Sequence, residues 1–255
     1  MALNHESVGI PIAKINGTKK KLYVTDKPED CSHVSNHIKL TKDNETFQLI
    51  PSDRERDILY VTGASGSGKS WFSKNYILEY VKSHPKNQVY VFSSISEDPS
   101  IDSIKNLKRV DIHNPEFLED DIDLEEFKNS LVMFDDVDCL REKRIKDKVD
   151  SILDMLLQSG RHINCSIIYT THVACNGKST RLILSEAHSI TIFPKSLGNR
   201  VLKNLLDSYL GMDKHQIRKV KTLKGGRHVT ILKTYPMTIM SEKHLYTLNN
   251  DDDDV

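Results

Sequence analysis

The sequence predicts an α/β fold, a mainly parallel sheet flanked by helices, and three observations carry that prediction. Short apolar runs recur along the chain: "DILYVTG" at 57–63, "QVYVFSS" at 88–94, "SLVMFDDVD" at 130–138, "CSIIYTTH" at 165–172 and "HSITIFP" at 188–194. Helix-patterned stretches separate several of them. The runs are apolar without alternation, as in strands buried on both faces of a helix-covered parallel sheet.

Taken in order, residues 1–50 are polar and broken, with short strands expected at "KKLYVT" and "NETFQLI" and a loop at "TDKPEDCSHVSN" between them. The core spans 51–195. Its first helix is expected from Lys69 to about Ser83, and an acidic stretch with some helix, "EFLEDDIDLEEFK", precedes the third apolar run. Ile145, Val149, Ile152, Leu153, Leu156 and Leu157 recur at three- and four-residue steps, the stripe of an amphipathic helix, with Gly160 at the C-cap. A C-terminal extension over 196–248 holds a helix at "NRVLKNLLDSYLGM", with Val201, Leu202, Leu205, Leu206 and Tyr209 on one side, and a strand at "RHVTILKTYP" closed by Pro236. The end, "NNDDDDV" at 249–255, is an acidic solvated tail.

Composition narrows the function classes. Thirty-six Lys and Arg balance 36 Asp and Glu, so a nucleic-acid partner would have to meet local basic surface. Four cysteines (Cys31, Cys139, Cys165, Cys175) without CxxC pairs point to free thiols in a reducing compartment. No run approaches the roughly 20 apolar residues of a membrane span, and "MALNHESVGIPIAK" lacks a secretory core. A soluble intracellular protein without a membrane partner is expected.

"GASGSGKS", from Gly63 to Ser70, fits G-x-x-x-x-G-K-[ST] in full. Gly63, Gly66 and Gly68 let the backbone, with Ala64, Ser65 and Ser67 between them, turn successive N–H groups inward onto phosphate oxygens. The helix beginning at Lys69 adds its positive N-terminal end. Lys69 would reach the β- and γ-phosphates of ATP, and the Ser70 hydroxyl would bind Mg²⁺. An apolar strand before the motif and a helix after it supply the context such a loop requires.

Hydrolysis further requires carboxylates. Asp135 and Asp136 end the third apolar run, and adjacent strand residues diverge, so each can take a separate task. Asp135 would hold Mg²⁺, and Asp136 would orient or deprotonate the attacking water. The alternative is a polar strand end that caps the next helix, a role for which Asp138 is the better candidate. One strand in sequence between the phosphate-loop strand and the acidic strand is the pattern of the additional-strand division of P-loop NTPases.

The stretch "SGRHINCSIIYTTHVAC" offers His162, Cys165, His172 and Cys175 at zinc-like spacing. On one strand, however, Cys165 and His172 would stand about 23 Å apart, far beyond what one zinc ion can gather. Cys165 then reads as a core residue. Thr170, Thr171 and His172 emerge at the strand's carboxyl end, where ligands of open α/β sheets bind, and one of them could touch the γ-phosphate or the water. A Thr/His turn without catalytic work is the competing reading.

"GASGSGKS", "MFDDVD" and "LLQSGRHINCSIIYTTH", in this order, resemble the FtsK–HerA superfamily, and within it the genome-packaging ATPases of the poxvirus-type family of large double-stranded DNA viruses and their relatives. The resemblance covers roughly 50–240. It departs from that family at His172, where Gln is usual, and at Asp136, where related ATPases often carry Glu. It implies an ATP-hydrolysing motor that translocates double-stranded DNA into a preformed capsid. It also implies a homo-oligomeric ring, capsid proteins as further partners, and a place in the cytoplasm or virus factory of an infected cell or with the virion. In such a ring each site is completed by an arginine from the neighbour. Arg161 is the first candidate, followed by Arg181 and Arg144, although Arg161 could equally cap a helix or pair with an acid. DNA contact would fall to "KHQIRKVKTLKGGRH", which carries Lys214, Arg218, Lys219, Lys221, Lys224 and Arg227. A helicase- or loader-type ATPase, or a slow nucleotide-dependent switch, are the alternative functions.

Overall fold

The computed structural model describes residues 2–52, 56–223 and 225–248; the acidic end 249–255 and Lys224 lie outside them. Strands and helices follow in chain order as β1 (Ala2–Asn4), β2 (Ile10–Ile15), β3 (Lys21–Thr25), β4 (His37–Lys39), β5 (Phe47–Leu49), β6 (Ile58–Thr62), α1 (Lys69–Ser83), β7 (Val89–Ser93), α2 (Pro99–Asp102), β8 (Leu107–Arg109) and α3 (Pro115–Glu119). Then come β9 (Leu131–Asp135), α4 (Lys143–Ser159), β10 (Ser166–Thr171), α5 (Lys178–Glu186), β11 (Ser189–Ile192), α6 (Asn199–Asn204), α7 (Lys214–Thr222), β12 (Val229–Leu232), β13 (Thr238–Ser241) and β14 (His244–Thr247). The chain forms two compact units, Arg54–Ala187 and a second that joins Met1–Asp53 to His188–Val255. The segments read in the sequence as 1–50 and 196–248 therefore share one unit, and that unit also takes the strand at Ser189–Ile192.

In the unit Arg54–Ala187 the strands run parallel in the order β6–β10–β9–β7–β8. Every residue of β6, β9 and β10 is buried, which is why their sequences carry no polar–apolar alternation. β7, the strand that the sequence places between the phosphate-loop and acidic strands, lies beyond β9, and in space it is β10 that stands between β6 and β9. Each helix contributes an apolar face. On α1 it is Phe72, Tyr76, Ile77 and Tyr80, and on α4 it is the predicted stripe from Ile145 to Leu157. Each such aliphatic or aromatic side chain contributes about 1.5–3 kcal/mol relative to exposure.

The end of α4 is fixed by an arginine. Arg56 Nη1 and Nη2 donate to the Leu156 and Leu157 carbonyls, both at 2.9 Å, at the helix end where carbonyls run short of intrahelical donors; the Leu156 carbonyl also accepts from the Gly160 N–H at 2.9 Å. Gly160 is the C-cap as expected, but its φ of −60° is right-handed. Glycine is needed there for space, since a Cβ would lie 2.3 Å from the Leu156 oxygen and 3.1 Å from Arg56 Nη1.

The second unit contains two antiparallel sheets, β1–β3–β2–β5 and β11–β12–β13–β14–β4. The expected strands at 20–25 and 44–50 are present as β3 and β5, while β1, β2 and β4 were not read from the sequence. The helix expected over 199–212 is corrected: α6 ends at Asn204 and the chain continues as a π-turn over Leu205–Tyr209. Leu202, Leu205 and Leu206 are buried on one side as expected, whereas Val201 is 40% exposed.

Arg56→Ala removes two charge-assisted hydrogen bonds at the end of α4. It should lower the unfolding free energy by about 2–3 kcal/mol, read from the midpoint of urea unfolding at unchanged slope. Arg56→Lys should recover only part of the loss, because a single ammonium cannot span both carbonyls in the same planar fork.

Candidate nucleotide site

Parallel strands bring their carboxyl ends to one edge of the sheet, and the in-phase pairing of Thr62 with Thr171, Thr170 with Asp135 and Asp135 with Ser93 makes that edge the site. The chain leaves β6 at Gly63, whose N–H donates to the Thr171 carbonyl at 3.3 Å. Gly66 (φ 72°) and Gly68 (φ 112°) then take left-handed conformations, and α1 begins at Lys69. Ala64, Ser65 and Gly66 are exposed, with open space where a Gly66 Cβ would stand. The Ser67 hydroxyl is buried without a hydrogen-bond partner among the described residues, a donor ready for an anionic oxygen. Ser70 is exposed at the start of α1.

Lys69 is only 6% exposed. Its ammonium donates to the Gly63 carbonyl at 3.0 Å and to His172 Nδ1 at 3.1 Å, and lies 3.6 Å from Asp136 Oδ1. His172 Nε2 is 3.0 Å from Asp136 Oδ2. Because a lysine ammonium can only donate, Nδ1 must be the accepting nitrogen and Nε2–H the donor to Asp136. The geometry thus fixes the tautomer, and His172 bridges the lysine and the acid.

The two acids differ in their surroundings. Asp135 ends β9, is 6% exposed, and accepts from Thr170 Oγ1 at 2.8 Å and Ser93 Oγ at 3.2 Å. Burial pushes its carboxyl above the usual range, with the Thr170 hydrogen bond opposing. Asp136 has φ 48°, left-handed for a residue with a Cβ, a conformation that costs about 1–3 kcal/mol and tends to cluster at functional sites. Its N–H donates to Thr170 Oγ1 at 3.0 Å, and its carboxylate meets Lys69 and His172.

The remaining expected residues divide. Thr171 is 1% exposed, and its hydroxyl faces Asp138 at 2.8 Å rather than the loop. Cys165 and His172 flank β10 at opposite ends. Cys165 is buried, with Ser130 Oγ at 3.8 Å from its sulfur, and burial pushes the thiol up to about 12. Arg161 is exposed in the turn before β10, at the other edge of the sheet and about 17 Å of strand away from the phosphate loop of its own chain. Arg144 and Arg181 are exposed on α4 and α5. Sequence reading missed Ser93, although "VFSS" ends a strand as the acids do, and missed that Thr170 ties both carboxylates together.

No protein-family model matches the chain. The uncharacterized protein V3 of Sputnik virophage is 36% identical over 252 residues, covering 96% of this chain and 98% of that protein. Among solved structures, the genome packaging NTPase B204 of Sulfolobus turreted icosahedral virus 2, in complex with AMP, superposes with a TM-score of 0.53 at 17% identity, covering 74% of this chain and 98% of B204. The cytoplasmic domain of the Thermomonospora curvata type VII secretion ATPase EccC gives 0.50 at 11% identity, over 86% of this chain and 29% of EccC. At these identities what is shared is the fold, that of P-loop NTPases.

The buried Asp135 carboxyl yields a pH test. Its folded-state pKa is raised, so the folded chain binds that proton more tightly than the unfolded chain. Its contribution is most favourable at low pH and declines as pH rises from the ordinary carboxylate value through the raised one. Asp135→Asn should therefore be more stable than wild type above that window and not below it. Urea unfolding across the pH range measures this, and an equal difference at every pH would refute it.

Proposed function

This chain belongs to the family of the Sputnik virophage protein V3, and we propose that it hydrolyses ATP at the phosphate loop and uses the energy to move double-stranded DNA into a viral capsid. The observation that carries the reading is the bridge Lys69–His172–Asp136 at the mouth of the loop, with Asp135 buried beside it. The fold shared with B204, a viral genome packaging NTPase, and the virophage origin of V3 lend support.

The residues suit the chemistry. Loop N–H groups and the unmatched Ser67 hydroxyl would hold phosphate oxygens, and Lys69 would exchange the Gly63 carbonyl and His172 for the β- and γ-phosphates. Ser70 and Asp135 would hold Mg²⁺, which would supply charge neutralisation; a buried carboxyl held by two neutral hydroxyls fits that ligand. Asp136 would take the proton of the attacking water, its left-handed backbone aiming the carboxylate off the strand. His172, released from Lys69, would bond the γ-phosphate or that water. Arg161 is too far along β10 to serve its own site, and in a homo-oligomeric ring it would reach a neighbour's.

DNA would be met by α7 and the segment after it. Ile217 and Val220 are buried, leaving Lys214, Arg218 and Arg227 exposed; Lys219 instead lies over the Tyr246 ring at 4.6 Å. Among the described residues no helix is long and apolar enough to cross a membrane.

Two experiments test the reading. Asp136→Asn should leave ATP binding intact and lower kcat by about 10²–10⁴-fold; undiminished turnover would remove Asp136 from the reaction. Double-stranded DNA should stimulate wild-type turnover, and Lys214→Ala with Arg218→Ala should weaken DNA binding regardless of sequence and reduce its salt slope by about 1 per residue. A monomer indifferent to DNA would instead be a nucleotide-dependent switch.

A further inference from the structure

We infer that Asp138 is a positioning residue for His172, acting through the Thr171 hydroxyl. The inference rests on the hydrolysis proposed above. Sequence pattern suits Asp138 to a capping role, but the short turn Val137–Cys139 has Asp136 at its N-cap and no side-chain cap bond. The Asp138 carboxylate instead accepts a hydrogen bond from Thr171 Oγ1 at 2.8 Å through Oδ2, while Oδ1 is buried without a hydrogen-bond partner among the described residues. A buried carboxylate oxygen left unmatched is unfavourable, so its retention calls for a reason beyond local folding.

That reason lies across the strand end. With its proton donated to Asp138, Thr171 Oγ1 offers a lone pair to the Val173 N–H at 3.0 Å. The competing acceptor for the Thr171 proton is the Val173 carbonyl at 3.3 Å, and choosing it would break that order. The Val173 and Ala174 carbonyls also accept from the buried Tyr60 hydroxyl at 3.2 and 3.0 Å. His172 is therefore held on both sides, by the β10 register before it and by the Asp138–Thr171–Val173 relay after it. Only with that peptide fixed can one imidazole meet Lys69 at 3.1 Å and Asp136 at 3.0 Å together. Asp136 and Asp138 flank Val137, so the acid and the histidine facing it are set by the same short turn.

The test compares ATP turnover, ATP affinity and the ring ¹⁵N–¹H spectrum of His172 in Asp138→Ala, Asp138→Asn, His172→Ala and the double variant Asp138→Ala with His172→Ala. Asp138→Ala should lower kcat about 10–100-fold with KM within about twofold, as loss of an orienting partner does. Asp138→Asn keeps an acceptor and should retain most of the rate. The double variant should be no slower than His172→Ala. An Asp138→Ala loss of the same size on the His172→Ala background, or Asp138→Asn as slow as Asp138→Ala, overturns the relay. If wild type itself turns over no ATP, the hydrolysis proposal fails, and the spectrum still decides this one. A single Nε2–H tautomer in wild type that becomes a mixture in Asp138→Ala supports it, and an unchanged spectrum overturns it. Should Asp138→Ala not fold, Thr171→Val against Thr171→Ser provides the same contrast.

Discussion

The in-phase parallel register of β6, β10, β9 and β7 is the constraint on which the site depends. It sets Val61, Thr170, Asp135 and Ser93 in one row, with Thr62 and Thr171 paired one step beyond it, so that a loop from the first strand, a histidine from the second and two acids from the third meet without long connections. Side chains alternate faces along a strand, so a slip of one residue in β10 would turn Thr170 away from both carboxylates and bring its neighbour into the row. The unbroken burial of β6, β9 and β10 opposes such a slip, since it would carry every buried side chain to the other face. Core packing and site geometry are thus one requirement.

Within that row the electrostatics are tightly matched. A nearly buried lysine is tolerable only with partners, and Lys69 has a carbonyl, an imidazole and a carboxylate. Asp136 in turn keeps an unfavourable backbone conformation because Thr170, His172 and Lys69 fix it from three sides. Asp135, by contrast, accepts from the neutral hydroxyls of Thr170 and Ser93, and that difference in company distinguishes two chemically identical neighbours.

Much of this was legible in the sequence, and the limits have physical causes. The phosphate loop, α1, α4 and the core strands follow from residue pattern, because Gly conformations, capping and periodicity are local properties. The acids were placed correctly at a strand end. What could not be read is which hydroxyl meets which carboxylate, since Thr170 reaches Asp135 and Thr171 reaches Asp138 only through strand pairing across more than thirty residues. The sequence accordingly favoured Thr171 and His172, and the structure sends Thr171 to Asp138 while His172 meets Lys69 and Asp136 and Thr170 meets Asp135. The π-turn at Leu205–Tyr209 escaped for a similar reason, because its apolar spacing also fits an ordinary helix.

The Arg56 clamp on α4 has a thermodynamic consequence for the turn that leads into β10. Beyond Gly160 that turn is cross-tied: Cys165 N–H donates to the Gly160 carbonyl at 2.9 Å, Asn129 N–H to the Ile163 carbonyl at 2.8 Å, and Asn164 Nδ2 to Asn129 Oδ1 at 3.1 Å. Arg161 thus projects from a stiff corner, with its backbone ordered when the chain folds. Most of the entropy of fixing a residue is its backbone share, about 1–2 kcal/mol. Any surface that Arg161 engages would therefore face only the side-chain remainder, so the corner lowers the entropic barrier to contact before a partner arrives.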